Sequence, residues 1–171
     1  MDVDPADGRG LKPAAGPGGR AVAREEGSGL MRHDEMIGKV RTLARLPDSG
    51  TAERATRAVV STLSERLPSG LARHVAAQLP PDLAAAMRRA ADAAGAGSGH
   101  AGERFGLAVF AGRIADRAGT DEDTALREAA AVLEVLDAAL APELTERMAG
   151  VLPSDIRELL PVERATGDHE E

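Results

Sequence analysis

Residues 48–87 read DSGTAERATRAVVSTLSERLPSGLARHVAAQLPPDLAAAM, and residues 121–160 read DEDTALREAAAVLEVLDAALAPELTERMAGVLPSDIRELL. At a constant shift of 73 positions, thirteen of these forty pairs are identical and no gap is needed. The identities include four pairs of leucines, Leu63/Leu136, Leu67/Leu140, Leu71/Leu144 and Leu79/Leu152. Large apolar residues that agree in an unbroken register predict two tandem copies of one structural unit. Upstream of this segment the shift becomes 74, which pairs Met36 with Phe110.

The shared apolar positions within each copy follow the spacing of a helix. In the first copy, one face of a long second helix carries Ala52, Val59, Leu63 and Leu67. Asp48 and Asp121 precede this helix in the two copies and can accept hydrogen bonds from its free N–H groups. A fourth helix opens with Pro80-Pro81-Asp82 in the first copy and with Pro153-Ser154-Asp155 in the second. We therefore expect an all-α fold of two tandem four-helix units, in which short helices bury their apolar faces on one another.

Composition along the chain predicts five segments. Residues 1–29 are rich in Gly, Pro and charge with few large apolar side chains, which predicts a disordered N-terminal arm. Residues 30–89 and 103–162 form the two helical copies. Residues 90–102 are small and flexible in type and predict a frayed helix end followed by an Ala/Gly linker. Residues 163–171 predict an acidic flexible tail.

Composition also excludes several classes of site. The chain has no Cys, so disulfides, thiolate nucleophiles and Cys-ligated metal sites are ruled out. No apolar run approaches the length of a membrane span, and residues 1–29 lack the apolar stretch of a signal peptide. We expect a cytoplasmic protein without membrane partners.

The segments VVSTLSERL at 59–67 and QLPPDL at 78–83 resemble the bacterial family catalogued as domain of unknown function 2267. The second copy is similar to the same family through AAAVLEVL at 129–136 and VLPSDIRELL at 151–160. The resemblance covers about residues 30–162. Its motifs concern packing and capping, so it implies a helical fold and implies no reaction, cofactor or catalytic residue.

Two motifs that can indicate ligand sites have simpler interpretations here. Residues 97–102, GSGHAG, satisfy the dinucleotide-binding pattern G-x-G-x-x-G, but that site needs a preceding strand, so we interpret them as linker. Residues 121–123, DED, lack the turn glycine and closing Glu of a calcium loop, and we interpret them as helix capping.

The four histidines, His33, His74, His100 and His169, lack the i, i+4 spacing of a helical metal pair. His74 is the one expected inside a packed unit, and its counterpart Arg147 favours a solvent-facing position over a functional one. No nucleophile elbow or ordered triad signature is found. The sequence therefore assigns no catalytic, cofactor-binding or metal-ligating residue.

Charged residues offer two further clues. Arg54/Arg127 and Asp82/Asp155 recur in both copies, which favours pairing between helices or helix capping, with a partner-binding arginine as the alternative. Residues 30–89 carry a net charge of +4 and residues 103–162 carry −6. Opposite signs could favour docking of the copies or head-to-tail association of chains. The alternative is drift on solvated faces, where exposed pairs contribute little.

Three functional hypotheses remain. The leading one is a non-enzymatic interaction or scaffold protein that binds a partner protein or associates with itself. The second is nucleic-acid association through the basic first copy, which the net charge of −7 disfavours. Its arginines are Arg54, Arg57, Arg66 and Arg73. The third is a small-ligand carrier or enzyme that uses a cleft between the copies.

Overall fold

The computed structural model describes residues 31–98 and 102–161, and the backbone alone over 95–98. The predicted arm over 1–29, the tail over 163–171 and the end of the linker at 99–101 lie outside these residues. The described chain contains eight helices and no strand, which confirms the all-α fold. None of these helices is both long and apolar enough to cross a membrane. They are α1 (His33–Ala44), α2 (Ser49–Arg66), α3 (Ser69–Ala76), α4 (Pro81–Ser98), α5 (Leu107–Ala118), α6 (Glu122–Ala139), α7 (Pro142–Val151) and α8 (Ser154–Arg157).

Helices α2 and α6, of 18 residues each, begin with the caps that the sequence predicts. Asp48 accepts a hydrogen bond from the Thr51 N–H at 2.8 Å before α2, and Asp121 accepts one from the Thr124 N–H at 2.7 Å before α6. These bonds hold the pKa of both carboxyl groups below the usual range, because they favour the charged form. The capping interpretation of residues 121–123 is therefore confirmed at Asp121.

One apolar core joins the first half of the described chain, residues 31–98, to the second half, residues 102–161. Helix α1 packs against α2 of its own half and against α6 of the second half, while α5 packs against α6 and against α2. Both halves belong to one compact unit, because each completes the core of the other. The largest fully buried side chains include Phe110, Met36, Leu63, Leu67, Leu133 and Leu136.

Helices α3 and α7 make a second, smaller contact between the halves. The Ala141 N–H donates to Gln78 Oε1 at 2.8 Å. Arg147 Nη1 lies 3.5 Å from His74 Nδ1, and both side chains are exposed. The expectation that His74 and Arg147 face solvent is confirmed, and the two side chains also meet each other.

The last helix differs between the halves. Helix α4 has 18 residues and continues past residue 89, where we expected the first copy to end, whereas α8 has four residues. The extension is helical because residues 84–94 consist mainly of alanine, the strongest helix former. Ala91 is also buried, and Asp92 pairs with Arg73 of α3. Pro161 follows α8 closely and cannot continue a helix.

Candidate functional site: an arginine-lined groove

An open groove of about 590 Å³ lies where α2, α4 and α5 meet. Small side chains such as Ala58 and Ala86 line it and leave room between the helices. Four arginines and two glutamates make this groove positive in a chain whose net charge is −7. We call it the arginine groove. Its charged lining residues are Glu53, Arg54, Arg57, Glu65, Arg89 and Arg117.

Both glutamates of the arginine groove are paired with arginines. Glu53 accepts a hydrogen bond at 2.7 Å from Arg57, which lies one turn further along α2. Glu65 accepts a hydrogen bond from Arg113 at 2.8 Å and another from Arg117, and both arginines come from α5. The net positive charge of the groove therefore comes from its other two arginines, Arg54 and Arg89.

Arg54 and Arg89 form no ion pair within 4.0 Å with a carboxylate of residues 31–98 and 102–161, although the charge of Arg54 acts on Asp48 and Glu128 at longer range. Arg54 Nε donates to the carbonyl oxygen of Ala118 at 3.3 Å, so the recurrent Arg54 pairs between helices as expected and anchors the end of α5. Arg89 is exposed on α4 and makes no hydrogen bond or ion pair with a described residue. Guanidinium groups bind carboxylates and phosphates through two parallel hydrogen bonds. These two side chains can therefore receive an anionic group.

A second groove of about 550 Å³ lies between α1 and α6. It overlaps the place equivalent to one end of the arginine groove. The shifts of 73 and 74 carry Ser61 and Arg117 of the arginine groove onto Glu134 and Leu43. Its charge is opposite, and we call it the acidic groove. Its charged lining residues are Asp34, Glu35, Lys39 and Glu134.

The segment before α5 is held against α2 by aromatic and charged contacts. Arg66 Nε donates to the Phe105 carbonyl oxygen at 3.0 Å. The guanidinium carbons of Arg113 and Arg66 lie 4.3 and 6.0 Å from the centre of the Phe105 ring. Arg113 also pairs with Glu103 at 2.9 Å. These contacts fix α5, and with it Arg117, beside the arginine groove.

The four arginines of the first half that favoured nucleic-acid binding lie in two different places. Arg54 and Arg57 line the arginine groove. Arg66 is occupied by Phe105, and Arg73 pairs with Asp92. All four arginines that favoured nucleic-acid binding therefore make contacts within the protein, because Arg54 also donates to the Ala118 carbonyl oxygen and Arg57 pairs with Glu53.

The recurrent aspartates act at helix starts. Asp155 Oδ2 accepts a hydrogen bond from the Leu107 N–H at 3.0 Å, so this aspartate caps α5 from α8. Its counterpart Asp82 lies beside His33, the first residue of α1. The capping interpretation is thus confirmed for Asp155. Arg127 is exposed on α6.

The glycine motif and the histidines are distributed as follows. Helix α4 runs into the motif and ends at Ser98, where a dinucleotide site would need a preceding strand, and Gly102 begins a non-helical segment that leads to α5. His33 lies near Glu53 and His74 near Arg147. His100 and His169 lie outside the described residues.

Glu128 is a buried acidic residue that sequence analysis did not single out. It lies on α6 at the position equivalent to buried Ala55, and its Oε1 has no hydrogen-bond partner within the described chain. Burial raises the pKa of the Glu128 carboxyl group, while the nearby charges of Arg127 and Arg54 oppose that shift. Ionisation of Glu128 is therefore less favourable in the folded protein than in the unfolded chain.

Replacement of Glu128 by Gln is expected to stabilise the fold at neutral pH by about 1 kcal/mol, because a neutral amide avoids the cost of ionising a buried carboxyl group. Because the pKa is raised, Glu128 keeps its proton to a higher pH in the folded state than in the unfolded state. Wild-type stability should therefore fall as pH rises from the ordinary Glu range through the raised pKa. Urea unfolding at acidic and neutral pH measures both effects.

The gain from Glu128→Gln should vanish at acidic pH, where the wild-type carboxyl group is also neutral. Glu134→Gln, an exposed change on the same helix, should have little effect at either pH. A gain that is equal at both pH values would contradict a raised pKa for the Glu128 carboxyl group.

These observations define an all-α protein whose two halves share one apolar core and which has one positive and one acidic groove. A family profile described as "Uncharacterized conserved protein (DUF2267)" matches residues 33–159. The chain belongs to this family, and the match confirms the resemblance drawn from the helix and Leu-Pro motifs. A search of the curated proteins found no match.

Proposed function

We propose that this chain is a non-enzymatic interaction module that binds an acidic segment of a partner protein in the arginine groove. The observation that supports this proposal is the presence in one open groove of Arg54 and Arg89, two arginines that form no close ion pair within the described chain. A carboxylate-bearing segment would supply the missing partners and form charge-assisted hydrogen bonds.

The shape of the groove favours a peptide segment over a small molecule. Its lining on α2 runs from Gly50 to Glu65, about 22 Å at the rise of an α-helix. This length suits several turns of a partner helix, and the small lining residues Ala58, Ala86 and Ala90 can contact its apolar side chains.

We also propose that the two halves arose by internal duplication and that the grooves then diverged in charge. Helices α1 and α5 have 12 residues each, and α2 and α6 have 18 each, which supports this origin. The acidic groove would repel an acidic segment at the equivalent place. Such repulsion would direct one partner to one groove, because specificity depends on the difference between two affinities.

The test is a titration of the full chain with a fluorescent glutamate-rich helical peptide, beside the same peptide with Gln for Glu. Arg89→Glu is expected to weaken binding about tenfold, which corresponds to about 1.4 kcal/mol. Arg88→Glu makes the same charge change at the adjacent exposed residue, which does not line the groove, and should weaken binding far less. Affinity should fall as salt is added.

Three results would contradict this proposal. They are equal binding of the Glu and Gln peptides, equal effects of Arg89→Glu and Arg88→Glu, and tighter salt-sensitive binding of a single-stranded oligonucleotide. The last result would favour nucleic-acid association, for which phosphates take the place of carboxylates.

A further inference from the structure

Side chains from three helices converge at one corner of the first half. His33 is the first residue of α1, Glu53 lies in α2, and Asp82 lies in the first turn of α4. One nitrogen or oxygen atom from each lies within 4.8 Å of the other two. His33 Nε2 is 3.8 Å from Glu53 Oε2.

The His33 ring has no hydrogen-bond partner among the described residues. Its Nδ1 is shut off from solvent and unpaired, and its Nε2 is too far from Glu53 for a hydrogen bond. Arg57 donates to Glu53 Oε2, the same oxygen that lies nearest His33 Nε2. A carboxylate has about four lone-pair positions, so Glu53 can bind a second cation.

Packing does not require His33, Glu53 and Asp82 at this corner, because the second half has other residues at two of the three equivalent positions. The equivalent positions are Leu107, Leu126 and Asp155, so two leucines replace the histidine and the glutamate. Leu107 packs against the core there, and Asp155 caps the Leu107 N–H. The first half thus places two potential ligands where the fold accepts leucine.

We propose that His33, Glu53 and Asp82 bind a divalent transition-metal ion, with Zn²⁺ as the reference ion. An imidazole with two carboxylates is a donor set that suits zinc, whereas magnesium and calcium prefer oxygen alone. Three protein ligands leave one tetrahedral position for water. Glu53 also borders the arginine groove, but metal binding here goes beyond the proposed function, and its test uses the metal alone.

The geometry needs a modest closure around the ion. Ligand atoms about 2.1 Å from a tetrahedral ion lie about 3.4 Å apart. The present separations are all within 4.8 Å, and that of His33 Nε2 from Glu53 Oε2 is 3.8 Å. Asp82 is exposed and free to change rotamer, and His33 and Glu53 are partly exposed, so side-chain movement can supply the difference.

Isothermal titration of the full chain with Zn²⁺ tests this proposal. Wild type should bind one ion at this site, and His33→Leu, which installs the residue of the equivalent position, should weaken that binding more than about tenfold. Loss of a residue that only hydrogen-bonds to a metal ligand already lowers metal affinity by about tenfold or more. Asp82→Asn, an exposed change that preserves shape, should also weaken binding. His74→Leu, an exposed control, should not.

Circular dichroism would check that each variant is folded. If His33→Leu does not fold, Asp82→Asn still decides the test. Absence of binding at one equivalent by wild type would overturn the proposal. Unchanged affinity in Asp82→Asn or in folded His33→Leu would overturn it too. So would an equal loss in His74→Leu, because that would place the ion elsewhere.

Discussion

Replacement of Phe110 by alanine is expected to lower the free energy of unfolding by about 4 kcal/mol. Phe110 is fully buried on α5, and α5 packs against both α2 and α6. Truncation therefore removes the largest core side chain from the contact that joins the halves and leaves a cavity. Domains of this size are stable by only about 5–15 kcal/mol, so much of the total would be lost.

Urea unfolding followed by circular dichroism measures the effect of Phe110→Ala. Val109→Ala is the matched control, because Val109 is adjacent on the same helix and 45% exposed. It should change stability by less than about 0.5 kcal/mol. Similar losses in the two variants would contradict the placement of Phe110 in the shared core.

Replacement of Gly102 by alanine is expected to cost about 3 kcal/mol or more. Gly102 has a φ of +82°, which is strained for an L-residue by about 1–2 kcal/mol. A Cβ there would lie 2.7 Å from the Leu67 carbonyl oxygen and 2.8 Å from that of Arg66. Because both are backbone atoms at the end of α2, the chain itself must move.

That movement should pull the segment before α5 away from α2, which would break the hydrogen bond from the Glu103 N–H to the Glu65 carbonyl oxygen. Gly119→Ala is the control. Gly119 has a similar φ of +72°, but a Cβ there meets nothing within 4 Å. It should cost only the backbone strain, about 1 kcal/mol. Equal losses on urea unfolding would show that no close approach exists at Gly102.

Local interactions explain why the helical parts of the fold were predictable from the sequence. The caps at Asp48 and Asp121 join residues three positions apart, and the apolar face of α2 follows helical spacing. The extent of α4 was not predictable to the same degree. It depends on burial of Ala91 and on the ion pair between Asp92 and Arg73, which are contacts with other parts of the chain.

The candidate site was only partly predictable, because it is assembled from distant segments. Arg54 and Arg57 were visible as basic residues of α2, but Arg89 and Arg117 reach the same groove from α4 and α5. Arg66 has the same character in sequence, yet the Phe105 carbonyl oxygen occupies it.

The His33 cluster was missed for the same reason. His33 has no potential ligand one helical turn away, and Glu53 and Asp82 come from other helices. Glu128 was missed because it follows Arg127 in a charged helical stretch that does not distinguish a buried position from an exposed one.

The central claim, that the arginine groove receives an acidic segment, is tested most directly by amide NMR of the full chain during titration with the glutamate-rich peptide. The proposal predicts shift changes concentrated around Arg54, Arg57 and Arg89, and their loss in Arg89→Glu. Changes concentrated around Lys39 and Glu134 in the acidic groove, or no localised changes, would contradict it.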